Sequence, residues 1–240
     1  MTSAQMPNYE FLRVSDLHSF YGESHILHGI DLYMNRGEVV SLLGRNGAGR
    51  STTLKSLIGM VGKRSGSIMI NGRETVSMPS HHIAHLGIGY CPEERGIFAS
   101  LTVEENLNLP PKVRSGGFSL DEIYKMFPNL RERSRSQGTR LSGGEQQMLA
   151  LARILRSGAN FLLLDEITEG LAPVIVEKLS DVIRKLKSCG YTILLVEQNF
   201  QFVASLADRH YIIEHGSVVA EISKDELEDK MGLVNRHLGL

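Results

Sequence analysis

At 240 residues the chain is long enough to bury a sizeable core, as one large domain or one domain with a subdomain. Lys and Arg number 26 against 27 Asp and Glu, a net charge of −1, which argues against a broad basic surface for nucleic acid. No apolar run approaches the roughly 18 residues that a membrane-crossing helix needs.

In chain order, residues 10–18, 26–34 and 67–71 alternate in part between apolar and polar side chains and are broken by Gly and Asn turns, the pattern of short strands. Residues 38–43 form a compact β-branched run that leads into Gly44-Arg45-Asn46-Gly47-Ala48-Gly49-Arg50-Ser51. That segment follows the phosphate-loop pattern G-x-x-x-x-G-K-[ST] except at Arg50. Residues 52–60 then show helical spacing, with Leu54, Leu57 and Ile58 on one side. Strand, Gly-rich loop and helix occur in the order that phosphate binding requires. Gly44, Gly47 and Gly49 let the loop curl so that its N–H groups converge on an anion, and the helix adds its positive end. Ser51 can place a hydroxyl on Mg2+, and Thr52 can reach an α-phosphate. Arg50 keeps the positive charge of the expected Lys but is longer, planar and forked.

Residues 86–90 read as another strand, and His81, His82 and His85 before it as one face of a surface helix rather than a metal site. From about 95 to 140 the character shifts toward helices, with a start at 102–106 and punctuation at Pro110-Pro111 and Ser115-Gly116-Gly117. Arg131, Arg133, Arg135 and Arg140 read as a solvated helix surface. Leu141-Ser142-Gly143-Gly144-Glu145-Gln146-Gln147 opens a helix with a hydroxyl and two glycines, leaving backbone N–H groups bare for an anion. Phe161-Leu162-Leu163-Leu164-Asp165-Glu166 is an apolar strand that ends in two carboxylates. Asp165 fits a partner of Mg2+, since hard cations prefer oxygen, and Glu166 fits a group that orients or deprotonates water. Helix 173–188, strand 191–196, helix 199–207 and strands near 209–214 and 217–222 follow, so strands separated by helices imply an α/β fold with a parallel sheet. Cys91 and Cys189 lack metal-ligand spacing and read as reduced.

The phosphate loop, the Leu-Ser-Gly-Gly-Glu-Gln-Gln run and the strand ending in Asp165-Glu166, in this order, resemble the ATP-binding subunit of an ABC transporter, from about residue 12 to 215. The resemblance implies one P-loop nucleotide-binding domain over 8–240, with a mostly parallel core sheet and an antiparallel β subdomain. Its core comprises 8–94 and 158–240, and a helical subdomain is inserted at about 95–157. The implied cofactors are ATP and Mg2+. Tyr21 stacks on adenine, and Gly44, Arg45, Asn46, Gly47, Ala48, Gly49, Arg50, Ser51 and Thr52 hold the phosphates. Ser51 and Asp165 face Mg2+ together with Glu93, which stands where most relatives carry Gln. Glu166 serves the attacking water. Gln198 replaces the His of many relatives and can donate a hydrogen bond to the γ-phosphate but cannot take up a proton. Ser142, Gly143, Gly144 and Glu145 would cover the ATP of a partner cassette paired head to tail. Ile167 stands where Pro usually follows the two carboxylates.

Pro92-Glu93, Ile97-Phe98, Thr102-Val103-Glu104-Glu105-Asn106-Leu107 and Val196-Glu197-Gln198-Asn199 resemble one branch of that family. It comprises the F-type ATP-binding subunits of branched-chain amino acid importers and their urea and amide relatives. This implies transmembrane permease subunits, a second ATP-binding subunit, either nonidentical or a second copy of this chain, and, indirectly, a substrate-binding protein, with no nucleic acid. No secretory signal is expected in residues 1–11, and the resemblance implies a place in the cytoplasm, peripheral on the inner face of the cell membrane. Two other readings are a catalytically weak partner subunit, suggested by Arg50 and Gln198, and a soluble ABC ATPase of DNA repair or translation. The latter usually carries two cassettes or long coiled-coil insertions, and this sequence has neither.

Overall fold

The computed structural model describes residues 10–239. In its first part the chain runs through β1 (Glu10–Tyr21), β2 (Ser24–Asn35), β3 (Val39–Leu43), α1 (Arg50–Leu57), β4 (Lys63–Ile70), β5 (Arg73–Glu74), α2 (Ser80–Ala84) and β6 (Ile88–Cys91). A helical stretch follows with α3 (Val103–Asn108), α4 (Leu120–Met126), α5 (Pro128–Glu132) and α6 (Gly143–Arg156). The remainder alternates β7 (Phe161–Asp165), α7 (Pro173–Ser188), β8 (Thr192–Val196), α8 (Phe200–Ala204), β9 (Arg209–Glu214) and β10 (Ser217–Ser223), and ends in α9 (Met231–Leu238).

Two sheets result. One is antiparallel in the order β2-β1-β4-β5; the other has the order β10-β9-β3-β8-β7-β6. In the second, every pair is parallel except β10 with β9. All five residues of β3, β7 and β8 are buried, as expected of parallel strands covered on both faces. The two-residue period of a strand sends alternate side chains into two cores. Phe161 and Leu163 join Phe11, Val40, Leu54 and Val196 beneath the antiparallel sheet and α1. Leu162 and Leu164 join Leu43, Leu149, Leu179 and Leu195 on the α6 and α7 side.

The helical stretch is more broken than its composition suggests. Only α3, α4 and α5 form before α6, with a single 3-10 turn at Gly138–Arg140. The chain between α3 and α4 contains Pro110 and Pro111, which cannot donate within a helix, and Gly117, where a Cβ would lie 2.5 Å from the Arg156 carbonyl oxygen. Thr102, Ser119 and Ser142 each open their helix with a reciprocal capping box to the Glu three residues on. Helix α6 packs against α3, α4 and α5 and also against β6, so one helix ties the helical stretch to the parallel sheet.

Other boundaries move modestly. Strand β4 starts at Lys63 rather than 67, α1 runs from Arg50 to Leu57 rather than over 52–60, and α8 ends at Ala204 rather than 207. Helix α9 has no counterpart among the expected elements; it is anchored by the fully buried Val234.

Phe161 has no exposed surface and meets Phe11 edge-on at 5.2 Å, joining the parallel sheet to the antiparallel one. Replacing Phe161 with Ala is expected to lower unfolding free energy by about 3–5 kcal/mol, read as a shift in the urea midpoint at unchanged slope.

Candidate nucleotide site

The loop between β3 and α1 requires its glycines for different reasons. Gly44 has φ 152°, and a Cβ there would lie 2.3 Å from the Ile213 carbonyl oxygen of β9. Gly49 caps α1 at φ 107°, where a Cβ would lie 2.8 Å from Leu27. Both conformations strongly favour Gly. Between them the chain wraps an open cleft of about 420 Å³. It is lined by Tyr21 and Ile26, by the loop residues 46–52, and by Glu93, Glu166, Glu169 and Gln198.

Arg50 is 4% exposed and uses its fork three ways. Nη1 donates to the Glu197 carbonyl at 3.0 Å, and Nη2 reaches Glu166 Oε1 at 2.9 Å and Asn46 Oδ1 at 3.3 Å. The other Glu166 oxygen accepts from Gln198 Nε2 at 2.9 Å. Both oxygens of this carboxylate therefore carry a donor.

Ser51 Oγ donates to Asp165 Oδ1 at 2.9 Å, and the Tyr90 hydroxyl donates to Asp165 Oδ2 at 3.0 Å. Burial pushes the Asp165 carboxyl up, while the two hydroxyls pull it back down. Burial and the neighbouring Asp165 charge likewise push the Tyr90 phenol up, so it stays a donor. Carboxylate oxygens of Glu93, Glu166 and Glu169 lie within 4.8 Å of one another. The neighbouring Glu166 carboxylate pushes the Glu169 carboxyl up, helped by burial and the Glu93 charge. Ser51, Asp165 and Glu93 offer oxygen donors only, a set that suits a hard divalent cation such as Mg2+.

Of the residues expected at a nucleotide, Gly44, Arg45 and Asp165 do not line the cleft. Gly44 lies under β9, and Asp165 lies behind Ser51. Arg45 turns outward, donating to the carbonyls of His237 at 3.2 Å and Arg236 at 3.4 Å, at the negative end of α9. Ser142, Gly143, Gly144 and Glu145 are also outside it. Ser142 is exposed; its N–H donates to Glu145 at 2.8 Å, and its Oγ accepts the Glu145 N–H at 3.3 Å. A Cβ at Gly144 would lie 2.9 Å from Ile175, so the second glycine lets α6 approach α7.

Tyr90, Glu169 and Glu197 were not among the expected site residues. Glu197 is 2% exposed and accepts from the Thr168 N–H at 3.0 Å and the Thr168 hydroxyl at 2.7 Å. Burial pushes its carboxyl up to about 7, against the pull of these two bonds. Its position beside Gln198, at the end of a fully buried strand, was the available signal. Away from the cleft, Arg131, Arg133, Arg135 and Arg140 are exposed, as are His81 and His82 of α2. Cys91 is buried, its thiol pushed up to about 12, and Cys189 is exposed.

A Gly-rich loop entering a helix, a strand-end Asp-Glu pair above it and a separate Ser-Gly-Gly helix start define an ATP-binding cassette. The sequence pattern of the ABC transporter family matches residues 27–169, and the chain belongs to that family, whose cassettes are ATPases coupled to transport. It is 42% identical to the high-affinity branched-chain amino acid transport ATP-binding protein BraG of Pseudomonas aeruginosa, over 84% of this chain and 88% of that protein. It is 39% identical to the probable branched-chain amino acid transport ATP-binding protein LivF of Archaeoglobus fulgidus, over 90% of this chain and 93% of that one. A solved ATP-binding subunit of an ABC transporter superposes with a TM-score of 0.80 at 28% identity, covering 96% of this chain and all of the other (100%).

Because folding raises the Glu197 carboxyl above its ordinary 4.5, the folded state holds the extra proton in the window from there to about 7. Its contribution to stability is complete below that window and is lost as pH rises through about 7. Glu197→Gln keeps an acceptor and removes the titration. The variant is expected to melt with a flatter pH dependence and to gain on the parent by about 3 kcal/mol above the window, read from denaturation across that range.

Proposed function

We propose that this chain binds MgATP and hydrolyses it at the interface of two cassettes paired head to tail, powering import of branched-chain amino acids or similar small solutes. The observation that carries this reading is a division of labour. The phosphate loop, Glu166 and Gln198 share one cleft, whereas the Ser142 helix start lies outside it. A second cassette would supply that helix start to the γ-phosphate, and this one would return the favour. The kinship with BraG and LivF supports the substrate class.

In this mechanism Tyr21 stacks on the base and the loop N–H groups from Asn46 to Thr52 cradle the phosphates. Ser51, Asp165 and Glu93 would hold Mg2+, which when bound neutralises phosphate charge. Arg50 leaves Glu166 for a phosphate oxygen, and Glu166 then orients the attacking water and accepts its proton. Gln198 donates a hydrogen bond toward the γ-phosphate. Ser142 and the α6 amino end of the partner cassette stabilise charge on the transferred group. The catalytic core is 8–94 with 158–240, and the insert at about 95–157 carries the signature and meets the permease subunits. A nonidentical second ATP-binding subunit completes the pair, a substrate-binding protein acts indirectly, and the assembly works at the inner face of the membrane.

A second reading, a catalytically weak partner subunit, is favoured by one observation: the buried Arg50–Glu166 ion pair occupies the carboxylate that must meet water. Phosphate release from MgATP by the purified protein separates the two. Glu166→Gln is expected to drop release to background, and Arg50→Lys to change it by less than about tenfold, or under about 1.4 kcal/mol in barrier. A much larger jump in the Lys variant would establish the second reading. Retained ATP binding without Glu166-dependent release, alone or with the second subunit added, would refute the first.

A further inference from the structure

Strands β7 and β8 pair in parallel up to Asp165 opposite Val196, and there the ladder stops. Beyond it one further backbone bond, and then side chains, hold the two segments together. Val196 O accepts from the Glu166 N–H at 2.8 Å. The Glu197 carboxylate accepts from the Thr168 N–H at 3.0 Å and its hydroxyl at 2.7 Å. Gln198 Nε2 donates to Glu166 Oε2 at 2.9 Å. The Glu197 carbonyl accepts from Arg50 Nη1 at 3.0 Å. A side chain has taken over where backbone pairing ends.

This matters because Glu166 does not sit in a relaxed conformation. Its φ of 48° is left-handed, which a non-glycine residue adopts only when its surroundings enforce it. The Ile167 side chain that follows is 1% exposed and anchors one side of the turn. Thr168, 6% exposed, anchors the other through Glu197. A carboxylate at 2% exposure is expensive to bury and is compensated only by specific hydrogen bonds. Glu197 itself does not line the nucleotide cleft.

We propose that Glu197 is a positioning residue for hydrolysis: it clamps the 166–168 turn to the 196–198 segment, so that Glu166 faces the attacking water. The proposal rests on the reading of the cleft as an ATPase site. It assigns a role to a buried acid that touches neither nucleotide nor Mg2+. It also explains why Thr168 presents both a backbone and a side-chain donor to the same carboxylate.

The test compares Glu197→Ala, Glu197→Gln and Thr168→Val in the full chain by MgATP turnover and by hydrogen–deuterium exchange of peptides covering 166–172 and 196–199. Glu197→Ala is expected to lower kcat roughly 10- to 100-fold with KM for ATP within about twofold, the signature of misplacement rather than lost binding. Glu197→Gln, which can still accept from the Thr168 N–H, should restore most of the rate, and Thr168→Val should fall between. Exchange in both peptides should quicken in the Ala variant while the rest of the sheet stays protected. Unchanged kcat in Glu197→Ala and Thr168→Val, or unchanged exchange in the two peptides, would overturn the clamp. If the parent shows no Glu166-dependent turnover, the ATPase reading falls, and the exchange arm still decides whether Glu197 clamps the turn.

Discussion

Three adjacent strands, β3, β8 and β7, expose no side chain to water on either face. That burial leaves polar chemistry one place to go, the carboxyl ends of the strands. There the backbone turns out of the sheet and its N–H groups lose their ladder partners. The phosphate loop leaves β3, Asp165 and Glu166 end β7, and Glu197 and Gln198 follow β8. Neighbouring order in the sheet brings three distant stretches of sequence to one rim.

What gathers at the rim is a set of charges that are individually costly to bury. Arg50, Asp165 and Glu197 are each 4% exposed or less. Each is made tolerable by a particular partner: Arg50 by Glu166, Asp165 by Ser51 and Tyr90, Glu197 by Thr168. Removing one member of the Arg50–Glu166 ion pair leaves the other charge uncompensated, at a cost of about 3–5 kcal/mol. On the proposed reading, phosphate oxygens would compete with Glu166 for the same guanidinium, so that filling the loop would free the carboxylate. A Lys has a single ammonium and could not hold Glu166, Asn46 and the Glu197 carbonyl with the same planar fork.

The α6 helix links this rim to the rest of the molecule. It packs on β6, and its first residue follows the Ser142 cap, outside the cleft. The second glycine of the signature lets α6 approach Ile175 of α7, so that run has a packing role besides any role toward an anion. At the other edge, Arg45 ties the loop to the end of α9, so the last helix braces the phosphate loop from outside.

Features that depend on a few neighbouring residues were readable from the chain alone. The strand–loop–helix around Gly44 to Ser51, the apolar runs of β3, β7 and β8, and the Ser142 helix start follow from periodicity, glycine conformation and capping, all of short range. The loops of the helical stretch and helix α9 were less legible. Short helices are stabilised mainly by what they pack against, and α9 depends on burial of Val234. The partnerships inside the site were not legible at all. Tyr90 meets Asp165 across 75 positions, Arg50 meets Glu166 across 116, and Thr168 meets Glu197 across 29. Composition and motif named the residues that carry charge; strand order and chain path chose which charge faces which, because a hydrogen bond reaches only about 3 Å and depends on the folded geometry.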